Sequence, residues 1–232
     1  MQHYMNVRRI DRLRRVSKGL SFGGLGLMVV ALILSLGATD NLGLTMGMAL
    51  LGLLASQIGT MQMRRWPERG RSDQVIDAAL KGLDKRHSLY HYLLGARHAL
   101  VTPRATVALI PIGEAGFFEW REGKLWRTPL KKGLPSGKPG PARGLLDQAE
   151  RETADLVRNL GRRLPDREVW QIIPLLVFCH DDARLEKDEA HPAIHLKKLK
   201  EYVRNLPRQS PLTEAESQSL AEPLESLLVA DG

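Results

Sequence analysis

Two uncharged stretches near the N-terminus constrain this chain more than any other feature of its sequence. Residues 19–39 and 41–63 contain no Asp, Glu, Lys, Arg or His, and only Asp40 separates them. A helix needs about 20 apolar residues to cross a bilayer, and only helices or closed barrels satisfy their backbone hydrogen bonds in lipid. The sequence therefore predicts a transmembrane helical hairpin over residues 19–63, with a short turn at residues 39–41.

The basic residues on either side of the hairpin predict its orientation. Residues 1–18 carry six Lys or Arg against one Asp, and the linker of residues 64–71 carries four Arg against one Glu. The turn between the helices has no Lys or Arg. By the positive-inside rule both termini are cytoplasmic, and we expect two spans in the inner (plasma) membrane. A signal peptide is the alternative, but signal peptides have a shorter apolar core than residues 19–39 and are not followed by a second span.

Most of the net charge lies in this N-terminal part. The whole chain carries +8, and residues 1–71 account for +7 of it. Juxtamembrane Lys and Arg attract anionic headgroups by about 1 kcal/mol each. The basic balance therefore predicts membrane lipids as a partner and is not by itself a footprint of nucleic acid.

Glycines recur in the hairpin and predict close helix packing. Gly19 with Gly23, and Gly43 with Gly47, have the GxxxG spacing that lets helix backbones approach each other. The packed partner is either the other helix of the hairpin or a second copy in a homo-oligomer, although glycine is also simply common in membrane helices. Because neither span holds the ionisable groups that a transport path needs, the hairpin is predicted to be an anchor.

Residues 72–207 predict one α/β domain around a mixed sheet. The predicted elements are a helix at 72–85, strands at 90–94, 98–102 and 105–112, a hairpin at 117–127, a loop at 129–142, a helix at 145–164, a strand at 169–178 and a helix at 195–206. The all-apolar stretch 105–112 indicates a strand buried on both faces. Pro174 predicts an irregularity or an edge position in its strand.

The last 25 residues, 208–232, are predicted to be a separate acidic tail. Pro207, Ser210 and Pro211 break the chain around its start. Thr213 and Glu216 then have the spacing of a capping box, which predicts a short helix. We expect this tail to be mobile and to dock on a basic surface.

Several short motifs of the domain resemble a known family. They are DQV at 73–75, LKGL at 80–83, YHYLL at 90–94, HALVTP at 98–103, EGKLW at 122–126, LLVF at 175–178 and LKKL at 196–199. Together with the long helix from Leu145, they resemble the nuclease-related domain (NERD), a relative of the PD-(D/E)xK nuclease fold, over residues 72–206. The resemblance implies a mixed sheet and, in active relatives, a divalent-metal site that cleaves nucleic acid.

The metal ligands that the resemblance implies are absent from the matching positions. Gln74 stands where the first-helix Glu belongs, no Asp occurs between Asp84 and Asp147, and strand 107–112 has neither Glu nor Lys. Mg²⁺ takes oxygen ligands and would activate water for phosphodiester cleavage. We therefore expect a catalytically inactive module for binding or scaffolding, with no metal and no cofactor. The alternative is a membrane-tethered nuclease with relocated ligands, which would use Mg²⁺.

Four residues are the weak catalytic candidates of that alternative. Glu122 and Lys124 form a literal E-x-K, but Glu122-Gly123 is a typical two-residue hairpin turn. Glu114 and Glu119 flank the hairpin strand, where solvated carboxylates are the simpler interpretation.

Five basic residues between positions 127 and 143 form the predicted phosphate-binding segment: Arg127, Lys131, Lys132, Lys138 and Arg143. No Asp or Glu lies among them. Such a segment can contact the phosphates of a lipid surface or of nucleic acid, and a solvated loop is the alternative. Another protein also remains open as a partner.

The histidines offer only weak pairs. His87 and His91 are four residues apart, but a strand is predicted to begin between them. His180 with two following aspartates follows a buried strand, where α/β folds often bind ligands, but an exposed polar turn is the simpler interpretation. His191 and His195 straddle a proline.

A single cysteine, Cys179, excludes a disulfide framework within the chain. It follows the apolar run 172–178, so a buried thiol is expected. Both features fit a reducing compartment for the domain.

Overall fold

The computed structural model describes residues 1–37, 42–65, 72–131, 134–167, 171–186, 192–209 and 211–229. The chain divides into two compact units, one of Met1–Met5 with Gly70–Gly232 and the other of Asn6–Arg69. The predicted hairpin turn at residues 39–41 and most of the linker, residues 66–71, lie outside the described ranges.

The smaller unit consists of two long helices, α1 (Val7–Gly37) and α2 (Leu42–Arg65). Their segments Ile10–Leu36 and Gly43–Met61 are long and apolar enough to cross a membrane. The prediction of two such helices is confirmed. α1 begins well before residue 19, because the basic segment that precedes the apolar stretch continues the same helix.

Small residues pack α1 against α2. A Cβ added to Gly24 would lie 2.5 Å from the carbonyl oxygen of Gly52, so only glycine fits there. The hydroxyls of Ser21 and Thr60 join the helices by a hydrogen bond of 3.3 Å. The glycines of the predicted GxxxG pairs instead face open space: Gly19, Gly23, Gly43 and Gly47. The prediction that these pairs close the hairpin is therefore wrong, whereas contact between copies stays a prediction.

The larger unit contains thirteen strands and four α-helices in the described ranges. The strands are β1 (Gln2–Met5), β2 (Ser88–His91), β3 (His98–Val101), β4 (Thr106–Ile112), β5 (Gly116–Arg121), β6 (Lys124–Thr128), β7 (Leu130–Lys131), β8 (Leu134–Pro135), β9 (Gly140–Pro141), β10 (Ile172–Phe178), β11 (Ala183–Leu185), β12 (Ala193–His195) and β13 (Leu228–Val229). The helices are α3 (Ser72–Leu80), α4 (Arg143–Arg163), α5 (Leu199–Arg204) and α6 (Glu214–Ala221), with 3-10 helices at Leu196–Lys198 and Glu222–Leu227.

A seven-stranded mixed sheet forms the centre of this unit, in the order β12-β10-β4-β3-β2-β1-β13. β12, β10 and β4 are parallel to one another, and β2 is parallel to β1. β3 runs antiparallel to both of its neighbours, as β13 does to β1. A second sheet has the order β11-β5-β6-β9. The predicted α/β class with a mixed sheet is confirmed.

Strand β4 is buried on both faces of the sheet, as its apolar sequence predicts. Val107 and Leu109 belong to an apolar cluster that includes residues of α3 and α5. Ala108 and Ile110 belong to the cluster on the opposite face, which includes residues of α4. The alternation follows from the two-residue period of a strand.

Pro174 is exposed and lies before the described pairing of β10 with β12, which fits the predicted edge position. It sits in β10 opposite Ala108 of β4, but β12 pairs with β10 only from Leu176 onward. Because proline has no N–H to donate, it is tolerated where no neighbouring strand needs one. The predicted start of this strand at residue 169 lies outside the described ranges.

The N-terminus departs most from the sequence prediction. Residues 2–5, predicted to be part of a basic N-terminal segment, form an interior strand between β2 and β13. Tyr4 stacks on Tyr90 with ring centroids 4.9 Å apart, and the Met1 ammonium donates to the Leu83 carbonyl at 3.0 Å. Charge counting missed the strand because the basic residues begin only at position 8.

The C-terminal segment also belongs to this unit. The predicted capping box at Thr213 and Glu216 is confirmed. Leu220 and Leu224 are buried in the core cluster that includes α4, and Glu216 pairs with Arg167 at 2.9 Å. The prediction of a separate, mobile tail is therefore wrong, because its apolar side chains complete the core. The expected basic partner is Arg167 of the same domain.

The segment 129–142, predicted to be a loop, contains short paired strands. β7 pairs with β8, and β9 pairs with the edge of β6. These pairs are only two residues long, so the segment remains poor in core contacts.

Candidate functional site

The literal E-x-K lies at the exposed tip of the hairpin that β5 and β6 form. Glu122 and Gly123 both have positive φ, 50° and 71°, as a tight turn between β5 and β6 requires. The side chains of Glu122 and Lys124 are exposed. The interpretation of this motif as a turn is confirmed.

The other two candidate carboxylates each pair with an arginine. Glu114 forms an ion pair with Arg127, and Glu119 forms one with Arg121. Glu119 is more buried than expected, because its side chain is only 16% exposed. The structure therefore does not bring Glu114, Glu119 and Glu122 together with shared ligand atoms in the described part of the chain.

The predicted phosphate-binding segment is partly occupied by its own contacts. The Arg127 guanidinium donates to the Ala115 carbonyl at 3.1 and 2.9 Å in addition to its pair with Glu114. Lys138 lines a cleft of about 370 Å³ together with Arg127 and Glu114. Lys132 lies outside the described ranges, as do the side chains of Lys131 and Arg143.

The histidine pairs singled out in the sequence do not form sites. His87 pairs with Asp84, so it does not share a ligand with His91. Asp182 donates its backbone N–H to Nδ1 of His180 in an exposed turn, which confirms the simpler interpretation. Nδ1 of His195 accepts the Lys197 N–H as a cap, and its predicted partner at position 191 lies outside the described ranges.

A different group of polar side chains meets on the α3 face of the large sheet. It consists of His3 from β1, Asp77 from α3, His91 from β2 and His98 from β3, and we call it the histidine cluster. His91 and His98 are cross-strand partners, so their side chains leave the sheet on the same face. Asp77 follows Ile76 of the buried helix stripe and reaches the sheet beside the apolar cluster.

Short hydrogen bonds connect the cluster. Oδ1 of Asp77 lies 2.9 Å from Nδ1 of His3 and 2.9 Å from Nε2 of His91. Nδ1 of His91 lies 2.6 Å from Nδ1 of His98. Nε2 of His98 lies 3.3 Å from Oγ of Ser72, the first residue of α3.

Burial and hydrogen bonds together set the protonation of Asp77 and His98. Burial opposes ionisation of Asp77, but the hydrogen bonds from His3 and His91 outweigh it and lower the pKa of the Asp77 carboxyl. Burial, together with the neighbouring His91 and Arg97, lowers the pKa of His98 well below its ordinary value. His98 is therefore neutral at pH 7, and Asp77 is an ionised carboxylate.

A second feature is a cleft of about 600 Å³ rich in arginine. It is lined by Arg86, His87, Thr102, Pro103, Arg104, Val203, Arg204 and Arg208, and we call it the arginine cleft. Arg86 is paired with Asp84, and Arg104 donates to the Leu206 carbonyl at 3.0 Å. Arg204 and Arg208 are exposed. A larger cleft of about 890 Å³ shares Arg86 and Arg208 with it.

Sequence reasoning missed both features because their members are far apart in the chain. One sequence signal could have revealed the cluster: a polar residue at a strand position whose neighbours two residues away are apolar and face the core. His91 and His98 occupy the same strand face as the buried Leu89 and Leu100, and such buried polar groups need partners. Nothing in the local sequence shows that His3 joins them.

The sequence matches no protein-family model, no curated protein and no solved structure with which it was compared. The resemblance to the nuclease-related domain therefore stays a prediction.

Proposed function

We propose that this chain is a two-span protein of the inner (plasma) membrane, and that its α/β domain binds an anionic partner in the cytoplasm without cleaving nucleic acid. The domain acts as a binding or scaffolding module, and a degenerate relationship to the nuclease-related domain is part of the proposal. The arginine cleft is the observation that carries it.

The position of β1 supports this topology. β1 precedes α1 in the chain, yet it pairs with β2, which follows α2. A chain that crosses a membrane twice between these strands returns to the side from which it started. The basic residues of segments 1–18 and 64–71 then favour the cytoplasm for that side.

The charges of the arginine cleft support an anionic ligand. Asp84 neutralises Arg86, which leaves Arg104, Arg204 and Arg208 as uncompensated guanidinium groups among the described lining residues. Guanidinium groups bind phosphates through paired hydrogen bonds. Phosphate is therefore the ligand chemistry that this cleft fits, whether it comes from a lipid headgroup or from nucleic acid.

The described carboxylates do not support the nuclease alternative. A metal-dependent nuclease needs converging oxygen ligands, whereas Glu114 and Glu119 are paired with arginines and Glu122 lies at a hairpin tip. We expect no cleavage of DNA or RNA by the full chain with Mg²⁺ or Mn²⁺. Metal-dependent cleavage lost in Glu114→Ala or Glu122→Ala would overturn this part of the proposal.

Two double variants with the same change of charge test the binding site. The full chain is placed in nanodiscs of zwitterionic lipid, and binding of anionic vesicles and of a short DNA duplex is measured over a salt series. Arg204→Gln with Arg208→Gln should weaken binding and flatten the salt slope by roughly 2, because each phosphate contact contributes about 0.9 to it. We expect vesicles to bind better than the duplex.

The matched control is Lys131→Gln with Lys138→Gln, in the segment predicted from sequence. This variant should bind like the parent if the arginine cleft is the site. If only the lysine variant loses binding, the site is the segment at residues 127–143. If the parent binds neither probe, the proposed function is wrong.

A further inference from the structure

We propose that His3, Asp77 and His91 form a binding site for a transition-metal ion, with Zn²⁺ as the best fit. In the described part of the chain this is the only group of His, Cys, Asp or Glu residues whose ligand atoms lie close enough to share one ion. The site is independent of the arginine cleft and of the proposed function.

The spacing of the ligand atoms fits an ion after a small adjustment. His3, Asp77 and His91 each offer one ligand atom within 4.8 Å of the others, and Oδ1 of Asp77 lies 2.9 Å from Nδ1 of His3 and from Nε2 of His91. Zn²⁺ binds nitrogen and oxygen at about 2.0–2.2 Å in a tetrahedron, which places neighbouring ligand atoms roughly 3.3 Å apart. The 2.9 Å distances from Asp77 to both histidines therefore need to lengthen by a few tenths of an ångström.

The donor set selects the kind of metal. Two imidazoles and one carboxylate suit Zn²⁺ and its first-row neighbours, whereas Mg²⁺ and Ca²⁺ prefer oxygen ligands only. Three protein ligands leave a fourth tetrahedral position for water. The Asp77 side chain is 34% exposed and that of His3 13%, whereas that of His91 is 1% exposed, so the site is reached from the side of Asp77 and His3.

His98 and Ser72 supply the outer contacts that a metal-binding histidine needs. With a metal on Nε2, His91 carries its proton on Nδ1 and donates it to Nδ1 of His98, 2.6 Å away. Neutral His98 then donates from Nε2 to the Ser72 hydroxyl at 3.3 Å. Such outer partners fix the tautomer and the ring orientation of metal ligands.

The ligands also show what the ion would do. His3 lies before α1 in the chain, and Asp77 and His91 lie after α2, so the ion links β1 to α3 and β2 across 74 and 88 residues of sequence. Because the assembled site exists only in the folded domain, binding free energy stabilises the fold. The ion is therefore a structural clamp that holds the N-terminal strand in the sheet.

Zinc titration of the full chain in mild detergent tests this site. The protein must carry no histidine tag, because a tag binds the same metals. Calorimetry with metal-free protein at pH 7.5 should give one Zn²⁺ per chain with micromolar or tighter affinity. Co²⁺ should give the visible absorption of a tetrahedral complex, and Zn²⁺ should abolish it.

Three substitutions and one control separate this site from surface histidines. His3→Asn and Asp77→Asn should each lower Zn²⁺ affinity at least about 100-fold, because each removes a ligand. His98→Asn should lower it by about 10- to 100-fold through the outer contact. His87→Asn is the matched control, since His87 pairs with Asp84 outside the cluster, and it should bind Zn²⁺ like the parent.

One measurement on the parent does not depend on any variant folding. Carbethoxylation of histidines, located by mass spectrometry, should be blocked by Zn²⁺ at His3 but not at His180, which is exposed. Absence of saturable Zn²⁺ binding, unchanged affinity in folded His3→Asn, or equal protection of both histidines would each overturn the proposal.

Discussion

The histidine cluster and the Glu114–Arg127 ion pair are two polar groups of the larger unit that differ in both origin and burial. The histidine cluster takes its members from four elements, β1, α3, β2 and β3, and its His91 and His98 side chains are fully buried. The Glu114–Arg127 pair comes from one hairpin and lies at the surface, with Glu114 48% exposed.

The difference teaches that burial decides what such contacts contribute. An exposed ion pair replaces contacts with water and usually contributes about 0–1 kcal/mol. A buried polar group that loses its partner keeps its full desolvation cost, about 1–3 kcal/mol and more for a charge. The histidine cluster is therefore the place where single substitutions should have large effects.

The largest effect is expected for Asp77→Ala. It removes the common partner of His3 and His91 and leaves a buried ring nitrogen without a hydrogen bond. We expect the free energy of unfolding to fall by about 2–4 kcal/mol. Urea unfolding of the full chain in detergent, followed by the fluorescence of its four tryptophans, measures it.

Asp84→Ala is the matched control for that substitution. Asp84 also pairs with a histidine, His87, but its side chain is 46% exposed. The control should change the free energy of unfolding by less than about 1 kcal/mol. If both variants lost the same free energy of unfolding, burial would not determine what the Asp77 and Asp84 contacts contribute to stability.

Cys179 extends the contrast between buried and exposed groups to reactivity. Burial raises the pKa of its thiol to about 11. Since only the thiolate reacts, alkylation by iodoacetamide at pH 8 should be roughly 200-fold slower than for a free cysteine, whose pKa is about 8.5. The rate should rise about tenfold per pH unit and level off only near pH 11, as long as the domain stays folded.

The same reaction in urea provides the control for the cysteine. The unfolded chain exposes Cys179 to water, so its thiol should react at the rate of a model peptide. Cys179 is partly buried, not fully buried as the sequence predicts; a fast reaction of the folded protein at pH 8 would contradict the raised pKa of its thiol.

The elements with strong local patterns were predictable from the sequence. β4 is apolar along its whole length, the α4 helix has a regular stripe, and the turn at Glu122-Gly123 has its own residue preference. Strand β1 was not predictable, because four residues before a basic helix carry no periodic signal and their partner strand lies more than 80 residues away. The histidine cluster and the arginine cleft depend on such distant pairings.

Sequence patterns also misplaced packing where spacing was the only signal. The GxxxG spacing is present in the sequence, yet the helices approach each other at Gly24, Gly52 and Gly59 instead. Helix rotation decides which glycines face the partner, and a four-residue spacing occurs on several faces. The tail was misjudged for a similar reason, because its acidic residues outweighed the buried Leu220 and Leu224.

The smallest effect is expected at the surface pair, for Glu114→Gln. The Arg127 guanidinium keeps its two hydrogen bonds to the Ala115 carbonyl after the charge is removed, so the hairpin retains its anchor. The free energy of unfolding should change by less than about 0.5 kcal/mol, and the difference should vanish at high salt because exposed pairs are screened. A fall of more than about 2 kcal/mol in the free energy of unfolding, measured by the same urea unfolding, would place Glu114 in a buried network. It would also remove the contrast between the histidine cluster and the Glu114–Arg127 pair. Glu119→Gln, whose carboxylate is less exposed, should fall between Glu114→Gln and Asp77→Ala, because its partner Arg121 remains about half exposed to water.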